Sequence, residues 1–463
     1  MKMKLRHILL SIFTGVTCAF SYAMTLDEAK KAFENGDYAE ALPTLQAIAD
    51  KEPKNQSVNL MTGVALMRTG DSDAAIKYLN RGSNEAKIHL AEIAFYDYRF
   101  DDGIELLDKY AELQKKARKP ESPDAEAVRQ RIEMGQSMLD RVEKITIIDS
   151  INVDRDDFFN FYKLSAPTGK IVSANELPND FEAADPTTVY VTESGSRMVW
   201  AKPDSLENYV LVETNRLADG SWETPSDLGT VLNEGGDANY PFLMSDGVTL
   251  YYANDGENSL GGYDIFISRN DGTSFLAPQN IGMPYNSPYN DYLLAIDEVS
   301  GIGWWATDRN NIDDKVTIYI FLPQELRINY PVDQEGLKDL AIVKSIRNTW
   351  QPGADYGAEL QKIANLDNEK SKKKAEFHFA LPGRRVYTSL SDFKSETARN
   401  LMTDYLHAQA ELQKTKQKLA TLRAAYAKGD KNTEAEIKQL EREVETTASD
   451  LKRRVNDIVK AEK

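Results

Sequence analysis

The 463-residue chain reads as a multidomain α+β protein: an N-terminal α-solenoid, a central all-β propeller and a C-terminal antiparallel coiled-coil hairpin of α-helices. Three observations predict this order. A helix-turn signature at Gly36 returns at Gly70, and a longer strand-turn signature beginning at Tyr190 returns at Phe242. A heptad pattern of apolar residues then fills the C-terminal stretch. A chain this long accommodates about two to four domains, each able to bury its own core.

Residues 1–23 have the form of a secretory signal. Lys2, Lys4 and Arg6 make the charged region, Ile8 to Phe20 the apolar region, and Ser21-Tyr22-Ala23 the cleavage pattern. The apolar run is short for a membrane span and no later segment is long enough, so the mature chain is expected to lack one. The expected location is therefore exported, periplasmic or associated with the periphery of an outer membrane. The single cysteine, Cys18, lies in this stretch. A lipoprotein signal needs an aliphatic residue three before the cysteine and a small one just before it; Gly15 and Thr17 stand there and argue against lipidation. A mature chain without cysteine has no disulfide, no thiol catalysis and no cysteine zinc site.

Residues 24–143 are read as helical repeats. Gly36-Asp37-Tyr38 with Ala41-Leu42 comes back as Gly70-Asp71 with Ala75-Ile76, and the interval from Gly36 to Gly70 equals that from Ala41 to Ala75. Ala29, Ala41, Gly63 and Ala75 are small enough for paired helices to approach closely. Phe100-Asp101-Asp102-Gly103-Ile104 is a degenerate third copy, and Asp124 to Lys144 supplies a helix to cap the array. The glycine-aspartate turn and the shared interval resemble the tetratricopeptide repeat, which implies a groove for a peptide or partner domain.

Residues 144–330 change to strand patterning and carry the second repeat. Tyr190, Gly195 and Trp200 recur as Phe242, Gly247 and Tyr252. Trp222, Pro225, Leu228-Gly229 and Asn233 recur as Phe275, Pro278, Ile281-Gly282 and Asn286, and a third copy brings Leu294, Trp304-Trp305 and Ile318-Tyr319-Ile320. Each unit has the content of a four-stranded propeller blade, which gives at least three blades. The words Pro241 to Tyr252 and Gly261-Gly262-Tyr263-Asp264-Ile265 resemble the WD40-like propeller repeat of secreted bacterial proteins, as in TolB-type and OmpA-type envelope proteins. Residues 145–186, or the strand-like pair Phe377 to Leu381 and Arg385 to Leu390, are expected to complete a further blade. Phe158 to Tyr162 reads as β-rich.

Residues 331–390 are expected to hold an amphipathic helix over Gln334 to Trp350, a polar helical or mobile insertion over Ala354 to Lys374, and the strand pair packed on the propeller. Residues 391–463 are read as the hairpin, capped by Ser391 and Asp392. Its seam runs Leu401, Tyr405, Ala408, Leu412, Thr415, Leu419, Leu422, Tyr426, breaks at Lys428 to Asn432, and resumes at Ile437, Leu440, Val444, Thr447, Leu451 and Ile458. The OmpA-type peptidoglycan-binding domain is missing from this position, which argues against direct attachment to the cell wall.

Formal net charge is −17, and loss of the three positive charges in 1–23 makes it −20. Such a chain has no basic face to displace counterions from nucleic acid and gives no support for an anionic lipid partner. Dispersed acid serves solubility. His7, His89, His378 and His407 do not share metal-ligand spacing, and no catalytic serine elbow or phosphate loop is present. Asp219 to Trp222 and Asp271 to Phe275 look like structural turns, and the neighbouring carboxylates Asp156-Asp157 and Asp313-Asp314 like acidic loops. No catalytic, cofactor or metal residue is therefore assigned, and no cofactor is expected. The leading expectation is a non-enzymatic scaffold for envelope proteins. A glycan- or small-ligand-binding propeller using Tyr285, Tyr289 and Trp304 is the alternative, and a hydrolase with unrecognised carboxylates is the third reading.

Overall fold

The computed structural model describes residues 24–178, 180–217, 220–233, 235–372, 379–381, 385–387, 390, 393–427 and 431–462. The expected signal with Cys18, the Ser391 and Asp392 cap, Asp219, His378, Lys373-Lys374 and the 428–430 break lie outside the described residues. The chain divides into two units, one ending at Ile363 and one beginning at Ala364.

The first unit opens with α1 (Leu26–Asn35), α2 (Tyr38–Lys51), α3 (Gln56–Arg68), α4 (Ser72–Leu79), α5 (Ala86–Tyr96), α6 (Phe100–Ala117) and α7 (Pro123–Leu139). Starts are marked by side-chain caps: Thr25 and Glu28 form a capping box on α1, Asp71 accepts from the Ala74 amide at 3.0 Å on α4, and Ser122 precedes Pro123 on α7. The small residues of the repeat do what their size requires. Ala29, Ala41 and Ala75 are wholly buried, and a β-carbon on Gly63 would collide with Leu79. The turns within the pairs share one geometry. Gly36 and Gly70 take φ of +88° and +93°, and the amides of Asp37 and Asp71 behind them reach back to the Ala32 and Leu66 carbonyls.

Next come β1 (Thr146–Asp154), β2 (Lys170–Ser173), β3 (Thr188–Val191), β4 (Arg197–Pro203), β5 (Tyr209–Asn215), β6 (Ser226–Asp227), α8 (Thr230–Asn233), β7 (Ala238–Leu243), β8 (Thr249–Asn254), β9 (Asp264–Arg269), β10 (Gln279–Asn280), β11 (Asp291–Asp297), β12 (Ile302–Thr307) and β13 (Lys315–Leu322). They form three antiparallel sheets, ordered β2-β3-β4-β5-β6, β10-β9-β8-β7 and β1-β13-β12-β11. The sequence repeat has a physical origin here. Asn233 accepts from the Leu211 amide at 2.8 Å and donates to Asp227; its counterpart Asn286 accepts from Ile265 at 2.8 Å and donates to Asn280. Each asparagine thus clamps the turn after the outermost strand onto its neighbour. Tyr240 and Leu293, separated by the same interval, take positive φ at matching bulges in β7 and β11. At the β7–β8 hairpin Gly247 sits at φ +69°, as a tight turn needs. Gly261 and Gly262 serve another end: a β-carbon on either would strike Tyr289 or Asn290 in the chain beside them.

Residues 145–186 do not make a further sheet. β1 joins β13 in register from Thr146↔Leu322 to Asp154↔Lys315, and β2 joins β3, so the segment is shared between the third sheet and the first. Phe158–Phe161 is a 3₁₀ turn rather than a strand. Of its aromatics Phe158 enters the core, packing edge-on against Tyr240 and Tyr292, which stack on each other at 4.7 Å, whereas Phe161 is exposed. The chain after it is fastened to β11, with Tyr162 donating to the Leu293 carbonyl at 2.7 Å and Ser165 and Thr168 donating to Asp297 at 2.7 and 2.6 Å.

The expected helix over Gln334 to Trp350 is broken. α9 (Leu337–Ala341) ends where Val343 turns to φ +54°, and a 3₁₀ turn, Ile346–Thr349, follows. The two pieces serve different neighbours. Leu337, Leu340 and Ala341 are buried with α5, α6 and α7, whereas Thr349 and Trp350 hydrogen-bond the backbone of Ile147 at 3.0 and 2.7 Å. α10 (Gly357–Lys372) occupies the polar insertion as a helix.

In the second unit, β14 (Phe379–Leu381) and β15 (Arg385–Tyr387) pair, among the described residues, only with each other. The expectation that this pair completes a blade is corrected: Phe379 and Tyr387 are buried with Phe393, Ala398, Met402 and Ile458. α11 (Glu396–Ala427) and α12 (Glu434–Glu462) run in opposite directions, as Met402 against Ile458 and Leu419 against Leu440 show. Leu412, Leu419, Ile437, Leu440, Leu451 and Ile458 of the seam are buried, but Tyr426 is exposed. Glu462 closes the base by accepting from the Lys394 and Ser395 amides at 2.8 and 3.0 Å and from the Tyr387 hydroxyl at 2.9 Å.

Candidate functional site

Of the three aromatics expected at a ligand site, the structure leaves one accessible. Trp304 is wholly buried, its ring 6.4 Å from that of Tyr162, and Tyr285 is buried edge-on against Trp305 and Phe321. Both are core because strand alternation turns Trp304 to one side of the third sheet and Trp305 to the other, where Tyr285 meets it. Tyr289 remains half-buried, and it lines a cleft of about 510 Å³ in the first unit.

Four stretches meet at this cleft: Tyr96 to Arg99 from the α5–α6 turn, Tyr289, Arg309-Asn310 after β12, and Lys338 with Ile342 to Lys344 around the end of α9. The turn is the third of the helical series, and its backbone repeats that of the first two. Tyr98 donates to Phe95 and Arg99 to Ala94, as Gly36 and Asp37 do to Phe33 and Ala32. The left-handed residue is now a tyrosine at φ 52°, a conformation that costs a bulky side chain energy. The cost is offset by burial: Tyr98 is nearly inaccessible, beside Ser287, Asp291 and Arg309 of the β-region. Burial pushes its phenol far above the usual range, against the pull of Arg309, so it stays neutral.

Arg309 forms the rigid floor. It pairs with Asp291 at 2.6 Å, and the two side chains are 4% and 0% exposed. Its remaining donors go to the Pro284 and Tyr285 carbonyls at 2.8 and 2.5 Å and to Thr307 at 3.1 Å. Asp291 also accepts from Ser287 at 2.6 Å. Every group is satisfied, so the floor positions the walls rather than binding anything.

The rim is different. Arg99 is shared between Asp97 at 2.9 Å and Asp102 at 3.0 Å, and Lys344 reaches Asp339 at 3.1 Å, all substantially exposed. Lys338 is exposed and has no ion pair among the described residues. Tyr96 and Tyr289 make an aromatic wall with ring centres 5.4 Å apart. Four cations and one carboxylate therefore line the cleft of a chain whose net charge is −17.

Other expected residues are occupied elsewhere or set apart. Asp271 is spent on its own turn, accepting from Thr273 and Ser274 amides at 2.8 and 3.0 Å while Phe275 is buried. His89 faces Glu92 at 3.5 Å, and His407 is exposed on α11. Asp156-Asp157 and Asp313-Asp314 lie exposed. Among the described residues, no group of three or more His, Cys, Asp or Glu is placed to hold a metal, and no helix is long and apolar enough to cross a membrane. The cleft itself was not foreseen. One signal for it was present: the third helical turn has a tyrosine where its predecessors have glycine.

No curated protein and no solved structure matches the chain. Residues 32–94 match the tetratricopeptide repeat family, a match that runs from the last turn of α1 into α5 and marks this segment as an array of repeats that points to protein partners.

Proposed function

We propose that the chain is a non-enzymatic interaction scaffold of the bacterial cell envelope, exported through the signal at positions 1–23 and binding partner proteins through its helical repeats and its β-region. The observation that carries the reading is the tetratricopeptide match over residues 32–94. Such arrays recognise partners through surfaces that stacked helices expose. The β-region adds a second fixed surface, because Leu260 and Met283 are buried in the same core as Phe95, Phe100 and Ile132. Helices and sheets then present one rigid body to a partner, with less ordering cost on binding.

Three antiparallel sheets, with matching bulges in the second and third and matching asparagine clamps in the first and second, support the propeller reading of the β-region, with Phe158, Tyr240 and Tyr292 filling its axis. Antiparallel packing with cross-helix pairs such as Lys418–Glu436 at 2.7 Å supports a coiled-coil hairpin as a further arm. A place in secretion or outer-membrane assembly fits an exported chain of this kind. The glycan reading is weaker, since Trp304 and Tyr285 are core residues.

Affinity purification of the tagged chain from envelope membranes tests the proposal. A reproducible set of co-purifying envelope proteins is expected, lost when exposed residues of the helical array are altered. Recovery of the bait alone, or turnover of a glycan or peptide panel by the pure chain, would count against it.

A further inference from the structure

We propose that the cleft between the α5–α6 turn, Tyr289 and the end of α9 receives an extended acidic segment of a partner protein, with an aromatic or apolar side chain beside its carboxylates. The inference deepens the scaffold reading and rests on it.

Charge is the first argument. Lys338 stands on the rim without an ion pair among the described residues, and beside it Arg99 and Lys344 are held in exposed, solvent-screened pairs with Asp97, Asp102 and Asp339 that a ligand carboxylate can replace. A ligand that offers hydroxyls would find few acceptors here, whereas one that offers carboxylates would find cations within reach. The −17 of the chain opposes an acidic partner at long range, so binding depends on the cations at the rim. Exposed lysines act over a Debye length, so the attraction is sensitive to salt.

The second argument is the wall. Tyr96 and Tyr289 provide ring faces, and Ile342 with Val343 gives aliphatic surface beside them. Cations around an aromatic pocket suit a segment in which acidic and aromatic residues alternate, the amphipathic ring packing below and the charge staying at the rim. A volume of about 510 Å³ lies within the range of binding clefts and is small for a folded domain. The third argument is rigidity: Tyr98 and the Arg309–Asp291 pair hold the walls before any ligand arrives.

The test measures fluorescence anisotropy with the full mature chain and a fluorescein-labelled hexapeptide of alternating glutamate and phenylalanine. The same peptide with glutamine for glutamate is the control. Saturable binding of the acidic peptide is expected, about tenfold tighter than the control and weakened by salt. The double substitution Lys338→Glu with Lys344→Glu should reduce affinity about tenfold or more with the thermal midpoint unchanged. Tyr289→Ala should weaken binding without altering its salt dependence. Equal binding of the two peptides, or full affinity in the double variant, would overturn the proposal. Binding of free glutamate as tightly as the peptide would overturn it too, in favour of a small-molecule site. Failure of the scaffold reading is separable. An envelope complex recovered equally by wild type and double variant, with no peptide binding, removes the cleft proposal alone; peptide binding with no complex removes the scaffold reading and keeps the cleft.

Discussion

Arg309 donates to Asp291 at 2.6 Å in a pair sealed between the helical array and the third sheet. Burial pushes the Asp291 carboxyl upward, and Arg309 and Ser287 oppose it, so the pair holds only as a set. Arg309→Met would leave the Asp291 charge without its counterion. A loss of about 3–5 kcal/mol is expected in denaturant unfolding. Pairing it with Asp291→Leu should recover much of that loss, since an apolar pair has no charge to desolvate.

Tyr98→Gly sets two effects against each other. Glycine relaxes the left-handed backbone by about 1 kcal/mol, but removal of the buried ring costs about 3–5 kcal/mol, as for other large aromatic side chains in cores. A net loss of about 2–4 kcal/mol is expected. Hydrogen exchange should quicken at the α5–α6 turn and around Leu260 and Met283, the β-region residues that share its core. A stabilised variant would show that the ring does not fasten the two regions.

These two sites mark what could be read in the sequence and what could not. Period was legible: Asn233 and Asn286 recur because each clamps its own turn, and Ala41 and Ala75 recur because each lets helices touch. Partner choice was not. The strand pattern around Phe379 and Tyr387 shows that two short strands exist, but its apolar residues fit the hairpin helices as well as a sheet, and Ile458 and Met402 cover them. Aromatic density misled twice. Phe158 to Phe161 is a turn that sends only Phe158 into the core, and Trp304 is core rather than part of a ligand site. The cleft draws on Tyr96, Tyr289 and Lys344, distant in sequence and joined only by the fold, so a single irregularity at Tyr98 was its trace.

The helical array carries an acid-sensitive contact. Glu92 is mostly buried, which alone would raise its pKa, but the neighbouring His89 and the Arg68 and Arg131 guanidiniums outweigh burial and hold it at about 2. A carboxylate lowered on folding stabilises above its unfolded pKa near 4.5, and that contribution is lost as pH falls through about 2. It amounts to about 3 kcal/mol at neutral pH. Glu92→Gln should therefore be less stable than wild type at pH 7, with the gap closing between pH 4.5 and 2. Thermal melts across that window measure it; a gap independent of pH would mean the contact acts through shape alone.

Asp264, at the start of β9, makes the opposite prediction. It is wholly buried; burial raises its carboxyl to about 8, and the nearby Asp291 charge adds to this while donors from Leu260 and Asn280 oppose it. One oxygen accepts from the Leu260 amide at 2.9 Å and from Asn280 at 2.6 Å, and the other has no partner among the described residues. A carboxyl raised on folding binds its proton more tightly in the native state. Its contribution is therefore fully present below the unfolded value of 3.8 and is lost as pH rises through about 8. Asparagine copies the neutral acid: its oxygen can take the two existing hydrogen bonds and its amide the unpartnered place. Asp264→Asn should match wild type near pH 4 and become more stable than it by a few kcal/mol, in order of magnitude, as pH rises toward 8. If the two proteins keep a constant difference in unfolding free energy across that range, Asp264 is already ionised in the fold.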